Sequence, residues 1–218
     1  MNRVEAATRQ WIRKFVIRER LCPFAAASNI IIKVDEFPSC QLQSQSLDPV
    51  NRPEHAQIAL SAIGRAEHEV QALLCAEAER STSGNLFLVW PTGLEDLETY
   101  RSFVALLAHR AGIHFAGVTG EGTDAPAVTF PFHPQMTHAR GEPGPPDYRF
   151  ASPFPMAHII PQTELASARQ QLKERKATGG ACLLRRNTHL MSSASAEQQK
   201  AWESVLNDCR RQGRSGTL

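Results

Sequence analysis

Apolar residues recur at helical spacing near the N-terminus. Val4, Ala7, Trp11, Ile12, Phe15 and Val16 form one stripe, which predicts an amphipathic helix over residues 3–21. Arg18 and Arg20 fall in its last turn, where positive charge suits the exposed carbonyl end. Pro23 disfavours helical backbone at Cys22, so the helix is expected to stop near Leu21. The β-branched run NIIIKV at 29–34 predicts a buried strand, and the Pro-, Ser- and Gln-rich stretch 35–53 a loop or insertion. A second stripe, Ile58, Ala59, Ala62, Ile63, Ala66, Val70, Leu73 and Leu74, predicts a long helix over 54–80. NLFLVWP at 85–91 reads as a strand, followed by a helix over 94–111 carrying Leu97, Phe103, Val104, Leu106 and Leu107. AVTFPF at 127–132 and MAHIIP at 156–161 read as strands separated by a Pro- and Gly-rich loop, 133–147. Thr163 is placed to cap a helix over 164–176, and a last helix covers 195–211.

Strands alternating with helices predict an α/β protein: a single layered domain over 1–212, with a small mixed sheet packed with helices and with helices at both ends. Residues 213–218 are expected to be a frayed tail. AVTFPF and MAHIIP have no crossover helix between them, so they are expected to be antiparallel neighbours. A chain of 218 residues buries about 70% of its unfolded surface, enough for one substantial core.

Composition narrows the setting. A net charge of +2 gives no bulk attraction to nucleic acid or to an anionic membrane, so neither is expected as a partner. The arginines at 3–20 and 210–214 read as solvated helix faces. No apolar run approaches the ~18 residues that cross a bilayer. The N-terminal stripe is Arg-rich like an organellar presequence, but Glu5 and Glu19 weigh against that. The five cysteines, Cys22, Cys40, Cys75, Cys182 and Cys209, are odd in number and lack C-x-x-C spacing, which argues against a disulfide framework and against an all-cysteine zinc cage. A reducing compartment, the cytoplasm, is the expectation.

Cys22 is the first candidate for chemistry. With Pro23 opening a new helical turn over PFAAAS, Cys22 would be its cap, and Arg18 and Arg20 would help lower its pKa. The alternative is a small apolar plug beside Leu21 and Phe24, since cysteine is among the most buried residue types. His133 stands where a strand runs into a loop, and His158 lies between apolar neighbours. Each is acceptable as a general base or metal ligand, although a lone histidine in a strand is more often a hydrogen-bonded structural residue. His133 and His138 have no strong metal spacing. Cys22, His133 and His158 converging would suit zinc or iron with an open coordination position, but spacing does not establish convergence. Arg185, Arg186 and Asn187 follow a Gly-Gly turn and read either as a grip for a carboxylate or phosphate or as surface charge. GVTGEGTD at 117–124 matches neither glycine-rich nucleotide motif and reads as a flexible turn. Asp124, Glu142 and Asp147 sit in loops, unpaired as an acid/base couple.

CPFA is similar to the redox-active turn of glutaredoxins and omega-class glutathione transferases. That fold needs a strand before the cysteine and a full helix after it. Here a helix precedes Cys22 and NIIIKV follows within a few residues, so a thiol-redox protein stays an alternative chemistry without that architecture.

Over most of its length the chain resembles the bacterial family catalogued as domain of unknown function 1415. WIRKFVIRERLCPFAAAS resembles its opening helix ending in L-C-P-F-A, FHP at 132–134 its F-H-P, SPFPMAH at 152–158 its S-P-Y-P-x-x-H, and RRN at 185–187 its late R-N. The resemblance singles out Cys22, His133, His158, Arg186 and Asn187 without bringing an activity. Phe150 and Ala151 stand where the pattern has Asn and Arg, Pro161 stands near an expected Arg, and the loop after His133 lacks the usual Asp and Tyr. The expectation is a small enzyme with a Cys/His site using thiol or metal chemistry on a small anionic molecule, Arg186 and Asn187 binding it. The competing class is a non-catalytic module whose Phe130, Phe132, Phe150 and Phe154, interleaved with prolines, line a groove.

Overall fold

The computed structural model describes residues 2–22, 29–36, 53–79, 84–116, 124–136, 147–174 and 183–214. The chain divides into two compact units. One combines Met1–Ser28, His133–Pro153 and Thr163–Leu218; the other combines Asn29–Phe132 and Phe154–Gln162.

The first unit opens with helix α1, Arg3–Trp11, because the Asn2 side chain accepts a hydrogen bond from the Val4 N–H at 2.9 Å and so caps it. Glu5 and Arg9 then pair one turn apart at 3.0 Å. The helix widens into a π-helical segment, Ile12–Ile17, where a uniform α-helix was expected. A π-turn rotates the following side chains relative to a 3.6-residue repeat, and it still buries Ile12, Phe15 and Val16. Helix α6, Ala196–Arg214, packs against α1; it runs past the expected end at 211 and includes residues assigned to a frayed tail. Trp202 of α6 is the hub: the Phe15 ring meets it edge-on at 5.9 Å and the Tyr148 ring lies 5.3 Å away. Tyr148 also donates to Glu203 Oε1 at 2.7 Å, and burial first, with this bond second, holds the phenol above its ordinary pKa.

The second unit holds the sheet. Its strands are β1 (Asn29–Val34), β2 (Gly84–Val89), β3 (His114–Phe115), β4 (Ala127–Phe132) and β5 (Met156–Pro161), in the order β1-β2-β5-β4-β3. β1 with β2 and β3 with β4 are parallel, while β5 is antiparallel to both its neighbours, β2 and β4. The sheet is mixed and the fold α/β, with β4 and β5 antiparallel neighbours as the missing crossover helix required. β3 has two residues, too short for any period to mark it in the sequence. Beyond Thr129, β4 has no described neighbour on its β3 side, and Pro131 sits on that open edge, where its missing N–H costs little.

Helix α2, Pro53–Ala78, carries the crossover from β1 to β2. Lys33 pairs with Glu69 of α2 at 3.0 Å, so α2 lies over the face of Lys33 and of its register partner Leu88. Arg65 of α2 grips Asp35, just past β1, in a fork of 3.0–3.2 Å. Helix α3, Leu97–Ala111, starts three residues later than its apolar pattern suggested because Asp96 caps it, accepting from Thr99 N at 2.8 Å. It ends at Gly112, whose φ of +66° is the left-handed conformation that favours glycine. The fully buried Tyr100 hydroxyl of α3 donates to Met156 O at 2.7 Å and accepts from Phe132 N at 2.9 Å, tying the helix to β5 and β4.

Two further helices belong to the first unit. Helix α4, Gln162–Glu174, begins directly at the end of β5, so Thr163 lies inside its first turn and is not the expected cap. Arg185, Arg186 and Asn187, expected only to follow a Gly-Gly turn, lie in helix α5, Leu183–Ser192.

Gly84 opens β2 against β1, and a Cβ there would stand 2.7 Å from Asn29 O, closer than side chains pack. Gly84→Ala is expected to destabilise the protein by about 1–3 kcal/mol through overpacking against backbone. A urea titration checks this: the midpoint should fall with an unchanged m-value.

Candidate functional site

Cys22 follows a tightly determined turn in the first unit. The π-helical segment ends as a Schellman motif: Leu21 N donates to Val16 O at 2.9 Å and Arg20 N to Ile17 O at 3.0 Å. Arg20 occupies the left-handed position of this motif with φ +54°, where glycine is usual. Leu21 is buried and Cys22 half-buried. The turn is then locked from far along the chain, because Asn187 Nδ2 of α5 donates to Leu21 O at 2.8 Å. Leu21 O belongs to the peptide bond that leads into Cys22, so Asn187 meets the chain directly before the cysteine. Asn187 is buried, and its Oδ1 has no hydrogen-bond partner among the described residues. Arg186 lies on α5 with its side chain outside the described residues, as is the helical turn expected to begin at Pro23. Arg18 pairs with Glu19 at 3.2 Å, so its charge is shared with a carboxylate beside the turn.

His133 is fully buried in the same unit. Its backbone N donates to Phe150 O at 3.0 Å, its carbonyl accepts from Met136 N at 3.1 Å, and Nδ1 accepts from Gln135 N at 3.1 Å. With Nδ1 accepting, the neutral ring carries its proton on Nε2. The second arm of this loop returns through Asp147, whose N–H donates to Met136 O at 2.8 Å. Asp147, expected in a loop, is buried and forms a two-point pair with Arg149, Nη2 to Oδ2 at 2.6 Å and Nε to Oδ1 at 2.8 Å. That pairing raises the Arg149 pKa despite its partial burial.

Arg210 corrects the expectation that arginines 210–214 are all solvated. Its Nε donates to Pro153 O at 3.2 Å, and Nη2 reaches Ser152 O and Pro134 O at 3.4 Å. One guanidinium therefore fastens the FHP and SPFP segments together. The signal was present in the helical spacing, since Arg210 borders the buried stripe of Trp202, Leu206 and Cys209.

His158 belongs to the second unit, on β5. Its register partners Phe87 and Phe130 share its face of the sheet, opposite the face covered by α2. The imidazole stacks on Phe87 at 4.0 Å with planes 10° apart, and Phe130 and Phe132 flank it at 6.4 and 6.3 Å. Burial pushes its pKa down to about 3, so the ring is neutral, and Nε2 has no described hydrogen-bond partner. Asn85, which the sequence reading passed over, lies on the same face of β2 two residues from Phe87, fully buried with neither amide atom partnered among the described residues. Phe130, Phe132 and Phe150 are half-buried and Phe154 is buried.

Among the described residues no three His, Cys, Asp or Glu side chains are grouped to hold a metal ion; Cys40, Cys182 and His138 lie outside those residues. Within the first unit the structure joins Leu21–Cys22 to Asn187 and arranges His133 with the Asp147–Ser152 arm. No helix among the described residues is long and apolar enough to cross a membrane.

The fold and these motif-bearing segments define a mixed-sheet α/β protein in which sequence-distant Cys, His and Asn motifs are fixed by backbone hydrogen bonds. The chain belongs to the family described as protein of unknown function (DUF1415), whose model matches residues 3–201. That span includes Cys22, His133, His158, Arg186 and Asn187. No curated protein and no solved structure matches the chain.

Two outcomes follow from these environments. Asn187→Ala removes a buried hydrogen bond to Leu21 O and is expected to cost about 1–3 kcal/mol, read by chemical denaturation. For His158 the folded pKa lies below the unfolded value of about 6.5, so the unfolded chain binds the extra proton and stability falls as pH drops below that value. Between pH 7 and pH 5 wild type should lose about 2 kcal/mol more than His158→Phe, measured by urea titration of both at each pH.

Proposed function

We propose that this protein is a small enzyme that uses the Cys22 thiol on a small anionic molecule, with a histidine handling protons and Arg186 anchoring the anion. The observation that supports this most is the Asn187–Leu21 hydrogen bond, 2.8 Å long, which holds the peptide leading into Cys22. A nucleophile works only from a defined position, and here a buried amide from a helix more than 160 residues away defines it. In this reading Asn187 is a positioning residue, while Cys22 attacks an electrophilic centre as thiolate. Of the two histidines, His133 is the one assigned to proton handling. His158, with its pKa near 3, is a weak proton acceptor at neutral pH. Because Nδ1 of His133 accepts from Gln135 N, the neutral ring has its proton on Nε2 and would hand it over from there as a general acid. A reducing, cytoplasmic setting keeps the thiol in its reactive state.

Native labelling with iodoacetamide, resolved by peptide mass spectrometry, tests the proposal. Cys75 is exposed and serves as an internal reference. Cys22 is expected to label at least tenfold faster than Cys75, and Asn187→Ala to bring the two rates together. Labelling of Cys22 no faster than Cys75 removes the support for nucleophilic catalysis. Elemental analysis of the purified protein tests the metal-ligand form of the same site.

A further inference from the structure

We propose that the face of α6 formed by Asn207, Arg210, Arg211 and Arg214 binds a small phosphate-type oxyanion. These residues recur at i, i+3, i+4 and i+7, so they share one side of the helix. They line a depression of about 460 Å³, within the range of roughly 300–1,000 Å³ typical of small-molecule sites. Its lining is three guanidinium groups and one amide, a set of donors with forked geometry that matches phosphate oxygens.

The centre of this face is preorganised. Three backbone carbonyls and Asn207 Oδ1, the last at 3.3 Å from Nη1, fix the plane of Arg210. They take four of its five N–H groups and leave one Nη1 proton for a ligand. Burial first, and the nearby charge of Arg214 second, lower the Arg210 pKa, so positive charge is held there against repulsion that an anion would relieve. Arg211 pairs with the Asp208 carboxylate, but both side chains are solvent-exposed, 76% and 45%, and such a pair exchanges readily for a stronger acceptor. A single depression on a chain of net charge +2 suits a small anion better than a polyanion, which needs an extended basic surface. The face lies beyond the matched residues 3–201 and does not involve Cys22 or either histidine, so it stands apart from the thiol reading.

Calorimetric titration of the full-length protein with pyrophosphate at low ionic strength, with chloride as the background anion, tests the assignment. Wild type is expected to bind saturably with one-to-one stoichiometry, and Arg211→Gln/Arg214→Gln to weaken binding at least tenfold. Arg9→Gln/Arg101→Gln removes the same net charge elsewhere and should change binding less than twofold. Amide NMR shifts of wild type on titration should concentrate at residues 207–214, a readout that needs no variant to fold. Absence of saturable binding, equal weakening by the two double variants, or shifts centred elsewhere would each overturn the proposal.

Discussion

β5 is the strand on which the sheet-bearing unit depends. It runs antiparallel between β2 and β4, and all six residues from Met156 to Pro161 are buried. The Tyr100 hydroxyl closes the arrangement by bonding to Met156 O and Phe132 N, so one phenol serves a strand on either side of the β4–β5 junction. A central strand with no solvent face leaves nowhere for a charged ring. His158 therefore stays neutral, stacked on Phe87, and its acid–base behaviour is a consequence of sheet topology.

The other unit is organised around Trp202, where rings from α1's continuation and from the Tyr148 segment converge on α6. Two long-range polar contacts add specificity to this apolar packing. Asn187 fixes the peptide before Cys22, and Arg210 holds the carbonyls of Pro134, Ser152 and Pro153. Both contacts satisfy backbone carbonyls outside helices and strands that would otherwise lose water without gaining a donor. They fasten segments that lie within residues 3–201 matched by the family model, Arg210 itself lying beyond them. This links the stability of the unit to the placement of its cysteine and of His133, and it gives Asn187 a role that a surface arginine–asparagine pair would not have.

Much of the layout was legible from side-chain periodicity. The stripe from Val4 to Val16 is buried as its spacing required, strands at 127–132 and 156–161 have the expected bounds, and their antiparallel pairing followed from a missing crossover. Local hydrogen bonds moved the edges: Asp96 delays α3, and the absence of a break after β5 puts Thr163 inside α4. The π-helical turn at Ile12–Ile17 was invisible because it preserves the apolar stripe while changing the backbone ladder. Helix α5 was missed because the polar run RRNTH at 185–189 and the preceding glycines outweigh its few apolar positions. The candidate cysteine and histidines stood out because their residue types are chemically distinctive. Asn85, Asp147 and Arg210 did not, since their character comes from burial and partners.

Periodicity, proline placement and motif order were enough to establish the α/β class, the family resemblance and the short list of reactive side chains, because each depends on residues close together in the chain. Tertiary structure alone decided that Asn187 reaches Leu21, that His133 is held with Nδ1 as acceptor, that His158 is neutral against Phe87, and that Arg210 turns inward to carbonyls. Those outcomes are set by contacts across tens to more than a hundred residues and by the loss of solvent around polar groups, neither of which leaves a periodic trace in sequence.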